Sequence, residues 1–289
     1  MVTFQNLVLL AFFVIFCSTY ATAQQAAAPL RVMSYNIRLD TPADKEDQWP
    51  HRKERVTGLI RYHQPDLLGV QEALPQQVKQ LAEALPQYAW YGVGRDDGKE
   101  SGEFSAVFYN KDKFQVQDSG TFWLSPQPNQ PSKGWDAAIV RICSWVKLKH
   151  KQTGGVFYHY NTHFDHVGVK ARENSATLLT NKIREIAGNS PFILTGDFNT
   201  TQDSQAYANL IKSGELLDTE TISESGHYGP SGTFSTFDVQ NELGKKIDYI
   251  FVSKHFSVLQ HATLTDAQNG KYPSDHLPVI AVVTPELKD

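Results

Sequence analysis

A layered α/β sandwich, two stacked sheets with helices outside them, is the fold class this sequence predicts. Three observations carry that expectation. From residue 30 onward, short runs rich in β-branched and aromatic residues alternate with only a few stretches of helical periodicity. No internal repeat and no low-complexity linker divides the chain. At 289 residues, 40% hydrophobic and 20% charged, it has the material for one large core, so a single domain over residues 30–287 is expected.

In chain order, the first 23 residues stand apart. Leu7 to Phe16 is an almost unbroken apolar run, short for a bilayer span, and small or polar residues follow it up to Ala21, Thr22 and Ala23. The pattern is that of a secretory signal peptide cleaved after Ala23, although no Lys or Arg precedes the apolar run. A secreted or periplasmic protein without stable membrane insertion is therefore expected. Cys17 lies inside this segment, which leaves Cys143 as the one cysteine beyond it, so no internal disulfide staples the fold.

Strands are expected at Val32 to Ile37, Leu67 to Gln71, Ala89 to Val93, Ser105 to Tyr109, Ile139 to Leu148 and Val156 to Asn161. Four more follow at Phe192 to Thr195, Ile247 to Val252, Ser257 to Leu264 and Val279 to Val283. Pro75 to Leu85 is a helix, with Val78, Leu81, Ala82 and Leu85 at helical spacing and Pro75 suited to the first turn. Val169 to Ala187 repeats that spacing with Ala171, Leu178, Leu179, Ile183 and Ile186, and Gly188 offers its stop. Arg52 to Arg61 makes a third helix. The long irregular stretches, 40–51, 94–103, 125–138 and 223–246, are the places to look for function.

Unusual polar residues collect at the ends of these apolar runs. MSYNIRLD delivers Asn36, LLGVQEA delivers Glu72, and YHYNTHFDH carries Asn161, His163, Asp165 and His166. FILTGDFN carries Asp197 and Asn199, KKIDYIFV places Asp248 in an apolar strand, and PSDHLPVIAV places Asp275 and His276 just before one. A strand puts residues i and i+2 on one side, so Asp197 and Asn199 would project into one space; a plain turn is the alternative reading. Burying such a group without a partner costs about 1–3 kcal/mol, so mutual satisfaction around one cleft is the cheaper arrangement. Taken singly, Asp275 could cap a turn, Asn36 could be a loop amide and His163 a satisfied core histidine. Together, an oxygen-rich set with few histidines and no thiolate favours a hard cation, Mg²⁺ or Mn²⁺, over zinc.

The ordered set SYNIR, GVQE, NTHFD, GDFN, IDYIF and SDHLPV, within Arg31 to Val283, resembles the endonuclease/exonuclease/phosphatase superfamily, the DNase-I-like fold, in a secreted bacterial-type form. The resemblance implies a four-layered α/β sandwich with two packed, mostly antiparallel central sheets, the site at one edge of them, and a metal-assisted phosphoric ester hydrolase. It implies Glu72 as the principal metal ligand, Asn36 helping to hold it and Asp275 in or beside the metal shell. Asp197 would deprotonate the attacking water, and Asn199 would hydrogen-bond a phosphate oxygen or that water. His276, oriented by Asp248, would stabilise the pentacovalent phosphorane oxygens, and His163 would contact phosphate or the leaving group. NTHFDH also resembles the H-x-H-x-D-H signature of dizinc hydrolases, but its first position is Asn161 and GDFN has no place there.

Asp165 and His166 are then expected to line the substrate pocket. Arg141, in an otherwise apolar strand, suits bidentate phosphate binding, and Arg172 would support its loop or reach phosphate; a structural ion pair is the alternative for both. Trp135, with Trp123 in or beside a Pro-rich loop, would stack on a sugar, base or lipid headgroup or else pin its own loop. A formal net charge of −4 gives no general basic field, which favours a small phosphoester or phosphodiester over duplex nucleic acid as the partner of a monomer. A secreted nuclease and a hydrolase of a non-phosphate bond such as a glycoside are the alternatives.

Overall fold

The computed structural model describes residues 28–286, so the signal-peptide segment lies outside the described residues. The elements run β1 (Leu30–Asn36), α1 (Trp49–His63), β2 (Leu67–Ala73), α2 (Pro75–Ala84), β3 (Tyr88–Tyr91), β4 (Phe104–Asn110), β5 (Phe114–Trp123), β6 (Ile142–His150) and β7 (Val156–His163). They continue α3 (Val169–Ala187), β8 (Phe192–Asp197), α4 (Gln205–Ile211), β9 (Leu217–Asp218), α5 (Thr219–Ile222), β10 (His227–Tyr228), β11 (Asp248–Val252), β12 (Phe256–Thr263) and β13 (Val279–Pro285). A short 3-10 helix, Pro42–Asp47, precedes α1.

Two sheets result. The first has strand order β10-β12-β13-β1-β2-β4-β3 and the second β5-β6-β7-β8-β11-β9. Most neighbours are antiparallel; β1 with β2, β7 with β8, and β10 with β12 are parallel. Three apolar clusters separate four layers. Met33, Tyr35, Leu68 and Val70 on the outer face of the first sheet meet Val56, Leu59 and Ile60 of α1 and Val78 and Leu81 of α2. Tyr160, Leu194 and Phe251 on the outer face of the second sheet meet Leu179 and Ile183 of α3 and Leu210 of α4. Between the sheets lie Val32, Leu67, Val107, Val146, Ile193 and Ile250. This is the layered sandwich expected of the sequence.

The space between the sheets changes character along the strands. On β8 the inward positions are Ile193, Thr195 and Asp197; on β7 they are His159, Asn161 and His163; on β1, Val32, Ser34 and Asn36. They therefore run from apolar, or in β7 a neutral imidazole, to polar at one end, with period two fixing which residues share the face. His159 donates or accepts at Thr195 Oγ1, 3.0 Å away, and burial lowers its pKa to about 3, so it is a neutral core group. Cys143 is likewise buried, and burial pushes its thiol pKa up.

Some elements differ from expectation. β5 is absent from the expected strands because its residues Gln115 to Asp118 face solvent at the edge of the second sheet and carry no sustained apolar alternation. The irregular 40–51 stretch contains the 3-10 helix and the first turn of α1, and α4 and α5 are too short for periodicity to reveal.

Gly69 of β2 faces the second sheet, and a Cβ there would lie 2.0 Å from Thr195 Oγ1 and 2.5 Å from Asn161 Oδ1. Gly69→Ala is therefore expected to destabilise the protein by about 1–3 kcal/mol, read as a lower urea midpoint at unchanged m-value.

Candidate active site

The polar ends of five strands meet at one edge of the sandwich. Asn36 closes β1, Glu72 lies near the end of β2, His163 and Asp197 close β7 and β8, and Asp248 opens β11. Asp197 and Asp248 are directly opposed in the antiparallel β8–β11 ladder. His276 arrives on the segment before β13, held by an isolated bridge to Phe234.

Asn36 lies at the centre. Its Nδ2 donates to Glu72 Oε1 and to Asp197 Oδ2, both at 3.0 Å, while its Oδ1 accepts from Arg38 N at 3.0 Å. The amide thus spaces the two carboxylates with its N–H groups and keeps its oxygen for the backbone. Glu72 also accepts from Leu39 N at 3.2 Å and has Arg38 Nη1 at 3.8 Å. Burial would raise its pKa, but the His276 charge, Asn36, Arg38 and Leu39 together hold it below the ordinary value.

Asp197 is 1% exposed and takes Asn199 N on Oδ1 at 2.9 Å. His163 Nε2 stands 3.3 Å and His276 Nε2 3.8 Å from its Oδ2. Burial first, then the neighbouring Asp248 charge, raises its pKa to about 7 despite His276. Asp275 is raised to about 6 for the same leading reason, burial, with Glu72 adding to it. On the other side, His276 Nδ1 pairs with Asp248 Oδ2 at 2.8 Å. Burial alone would depress this imidazole, yet Asp248, Asp197 and Asp275 hold its pKa well above the ordinary value. His163 goes the opposite way: burial, then the Arg141 and His276 charges, keep it neutral. Its Nε2 lies 3.0 Å from Asn199 Nδ2, which also donates to Phe164 O at 3.1 Å.

Two of these residues, Glu72 (φ 64°) and Asn199 (φ 47°), occupy the left-handed region, as does Arg38 (φ 58°). Asn tolerates that conformation; Glu and Arg do so at a cost, and their surroundings hold them there.

The donor set suits a divalent cation. Glu72, Asp197 and His276 each offer a ligand atom within 4.8 Å of the others. Two buried carboxyl groups with raised pKa values beside a third carboxylate mark negative charge that a cation would relieve, and oxygen donors suit a hard one. His276, held charged by Asp248, has no lone pair to give while it is protonated, which leaves the carboxylates as the donors.

Residues outside the expected set build the walls. Arg38 forms a two-pronged pair with Asp44 through Nε and Nη2 (2.9 Å on both arms), and its guanidinium stands 3.7 Å from Asp275 Oδ2. Arg52, fully buried, donates to the carbonyl oxygens of Ile37, Arg38, Leu39, Asp47 and Pro273, with Trp49 and Phe237 stacked on its guanidinium. Gln77 of α2 adds a donor to Arg38 O and an acceptor for Asp40 N. Only the charge of Arg38 beside Asn36 in SYNIR was a signal in the sequence; Arg52 reads there as an ordinary helix surface residue.

The other expected positions divide. Asp165 does not line an open pocket: it is 1% exposed, and its carboxylate accepts from the backbone N–H groups of Ala138, Ile139, Val167 and Gly168. It sits there because a tight loop of donors is satisfied most cheaply by one charged acceptor. Arg172 supports the same loop, donating to Asp165 O at 2.9 Å. His166 is exposed, and Arg141 Nη2 reaches its Nδ1 at 3.1 Å. Arg141 is 4% exposed; it lies 3.6 Å from Asp165, and its Nε and Nη1 have no hydrogen-bond partner among the described residues. With Arg95, Glu103, Ser105 and His163 it lines a small crevice. Trp135 is 39% exposed, whereas Trp123 is buried and pins the 94–103 stretch through Nε1 to Arg95 O at 2.8 Å. Phe237 is buried, and Phe234, 40% exposed, rests edge-on against the His276 ring at 5.3 Å.

The model of the Endonuclease/Exonuclease/phosphatase family matches residues 33–276. A solved endonuclease/exonuclease/phosphatase family protein of Bacteroides thetaiotaomicron is 42% identical, with a TM-score of 0.86, over 90% of this chain and 99% of that one. A mannosyl-6-phosphatase of the same organism is also 42% identical, with a TM-score of 0.85, over 88% of this chain and 99% of its own. A protein of Acanthamoeba polyphaga mimivirus is 25% identical over 90% of this chain, which spans 45% of that relative's length.

Asp165 yields a test of its own. Burial would raise its pKa, but the four N–H groups bring it down to about 2. A depressed carboxylate stabilises fully above its unfolded value near 4 and loses that contribution as pH falls through about 2. Asp165→Ala is expected to cost about 2–3 kcal/mol at pH 7, with the deficit shrinking in urea titrations repeated toward pH 2.

Proposed function

The chain belongs to the Endonuclease/Exonuclease/phosphatase family, and from that premise we propose that it is an exported, Mg²⁺- or Mn²⁺-dependent phosphoesterase acting on a small phosphate ester, with a sugar phosphate monoester the first substrate class to try. The observation that carries the reading is the buried Asp197, its pKa near 7, set between Asn36, His163 and the His276–Asp248 pair beside Glu72. The 42% identity to a mannosyl-6-phosphatase supports the substrate class, and the formal net charge of −4 argues against duplex nucleic acid.

Each residue has a role in this reading. Glu72, with Asp275 beside it, would hold the cation, which supplies charge neutralisation and polarisation of the phosphoryl group when bound. Asp197 takes the proton of the attacking water; a base whose pKa lies near the working pH is suited to that transfer. His276, kept charged and aimed by Asp248, stabilises the oxygens that gain negative charge as phosphorus becomes pentacovalent. Asn199 Nδ2, which meets neutral His163 and Phe164 O, would exchange one of these two partners for a phosphate oxygen or the attacking water. Arg141 carries two nitrogens without a hydrogen bond on a buried guanidinium, Nη1 and the Nε that stands 3.6 Å from Asp165 Oδ2, an arrangement that an entering phosphate oxygen or a water would satisfy. The exposed face of Phe234 against His276 gives the mouth an apolar surface for the alcohol portion.

Parallel assays of mannose 6-phosphate, a chromogenic phosphodiester and single-stranded RNA are expected to give fastest turnover on the sugar phosphate. EDTA should abolish it and Mg²⁺ or Mn²⁺ restore it. Preference for RNA would instead favour the nuclease reading, and reducing-sugar release without phosphate the glycosidase reading. Asp197→Asn should cut kcat by about 10²–10⁴ with the fold intact by circular dichroism.

The pH profile gives an independent check. Asp197 must be ionised to act as a base, so kcat/KM should fall as pH drops. The midpoint of that limb should lie no higher than about 7, because a bound cation favours the ionised form.

A further inference from the structure

The β2–β4 ladder is regular from Leu67 opposite Tyr109 to Val70 opposite Ala106, then resumes at Ala73 opposite Phe104. Three steps on β2 thus match two on β4. The extra residue makes a β-bulge at Gln71 and Glu72, with Glu72 turned into the left-handed region. A bulge re-aims the side chain it carries; here it turns the Glu72 carboxylate toward Asn36 and Asp197.

Asn161 of the other sheet reaches into this irregularity. Its Nδ2 donates to Val70 O and Ala106 O, both at 2.9 Å, the carbonyls of the last opposed pair before the ladder slips. Its Oδ1 accepts from the Gln71 side chain at 2.6 Å and from Thr195 Oγ1 at 3.1 Å. Both donors and both acceptor positions are therefore used, at zero exposure. Thr195 is opposite Asn161 in the β7–β8 ladder and lies two residues before Asp197 on the same face. The bare Gly69 is what lets the amide approach, since a Cβ would meet it at 2.5 Å.

We infer that Asn161 is a positioning residue: it braces the β2 bulge against β8 and so sets the Glu72 carboxylate at its working distance from Asp197. The inference rests on the reading of Glu72 as the cation's ligand. It assigns Asn161, which touches neither substrate nor cation, to the function of the site and not merely to the stability of the sheet pair. His159 serves as the comparison, being equally buried on the same strand and bonded to Thr195 but to no part of the bulge.

The test is Mn²⁺ affinity by titration calorimetry on the full chain, with urea unfolding and kcat measured alongside. Asn161→Ser is expected to weaken Mn²⁺ binding by about 10- to 100-fold, as loss of a group orienting a ligand commonly does, with kcat partly restored by excess Mn²⁺. Gln71→Leu, a milder change that removes one contact to the amide, should weaken it by a smaller factor and covers the case in which Asn161→Ser does not fold. His159→Phe should lower stability while leaving the Mn²⁺ affinity unchanged. Stability losses in all three with wild-type Mn²⁺ affinity would overturn the positioning role. Glu72→Gln separates the two levels: loss of Mn²⁺ binding there, with wild-type affinity in the Asn161 and Gln71 variants, sinks the brace alone. Wild-type affinity in Glu72→Gln sinks the ligand reading and the brace with it.

Discussion

Mutual repulsion among buried carboxylates is the constraint around which this molecule is organised. Glu72, Asp197, Asp248 and Asp275 converge from different segments of chain on one small volume. Two unit charges within 4.8 Å repel by about 3 to 4 kcal/mol at an effective dielectric of about 20. Each acid therefore has a compensating neighbour: Asn36 between Glu72 and Asp197, Arg38 facing Glu72 and Asp275, and His276 locked to Asp248. Burial first, and then the repulsion that remains, raises the pKa values of Asp197 and Asp275.

The fold answers this constraint by dividing labour along its strands. Apolar residues fill much of the inter-sheet space away from the site, and backbone pairing holds the two sheets as broad, stiff surfaces. Polar residues occupy the same inward face toward the other end, where Asn161 is satisfied by partners on β2, β4 and β8. Arg52 does for the loop after β1 what Asn161 does for the bulge: one buried side chain gathers carbonyls that no regular ladder can satisfy. The loop so fixed presents Leu39 N and the Arg38 guanidinium to Glu72.

Much of this was legible in the sequence because strand periodicity and the cost of burying polar groups act locally. The ten expected strands are all present, and the residues at their polar ends, Asn36, Glu72, His163, Asp197, Asn199, Asp248 and His276, are drawn together. What escaped depended on distant chain. β5 carries no sustained alternation because Gln115 to Asp118 see solvent at a sheet edge, and Arg52 looks like any helical arginine until five carbonyls surround it. Asp165 misled because a carboxylate beside a catalytic-looking histidine suggests a pocket, whereas the neighbouring backbone N–H groups claim it. The positive φ of Glu72 and Arg38 has no signature in composition, since neither residue type favours it.

Those left-handed backbones carry a consequence for substitution. Glycine would relax the chain at position 72 by about 1–2 kcal/mol, yet it would delete the acid that the conformation exists to present. The same change would strip the Asn36 amide, Leu39 N and the Arg38 guanidinium of their shared acceptor, a loss of about 1–3 kcal/mol that offsets the gain. The twisted backbone is thus tethered by its own side chain.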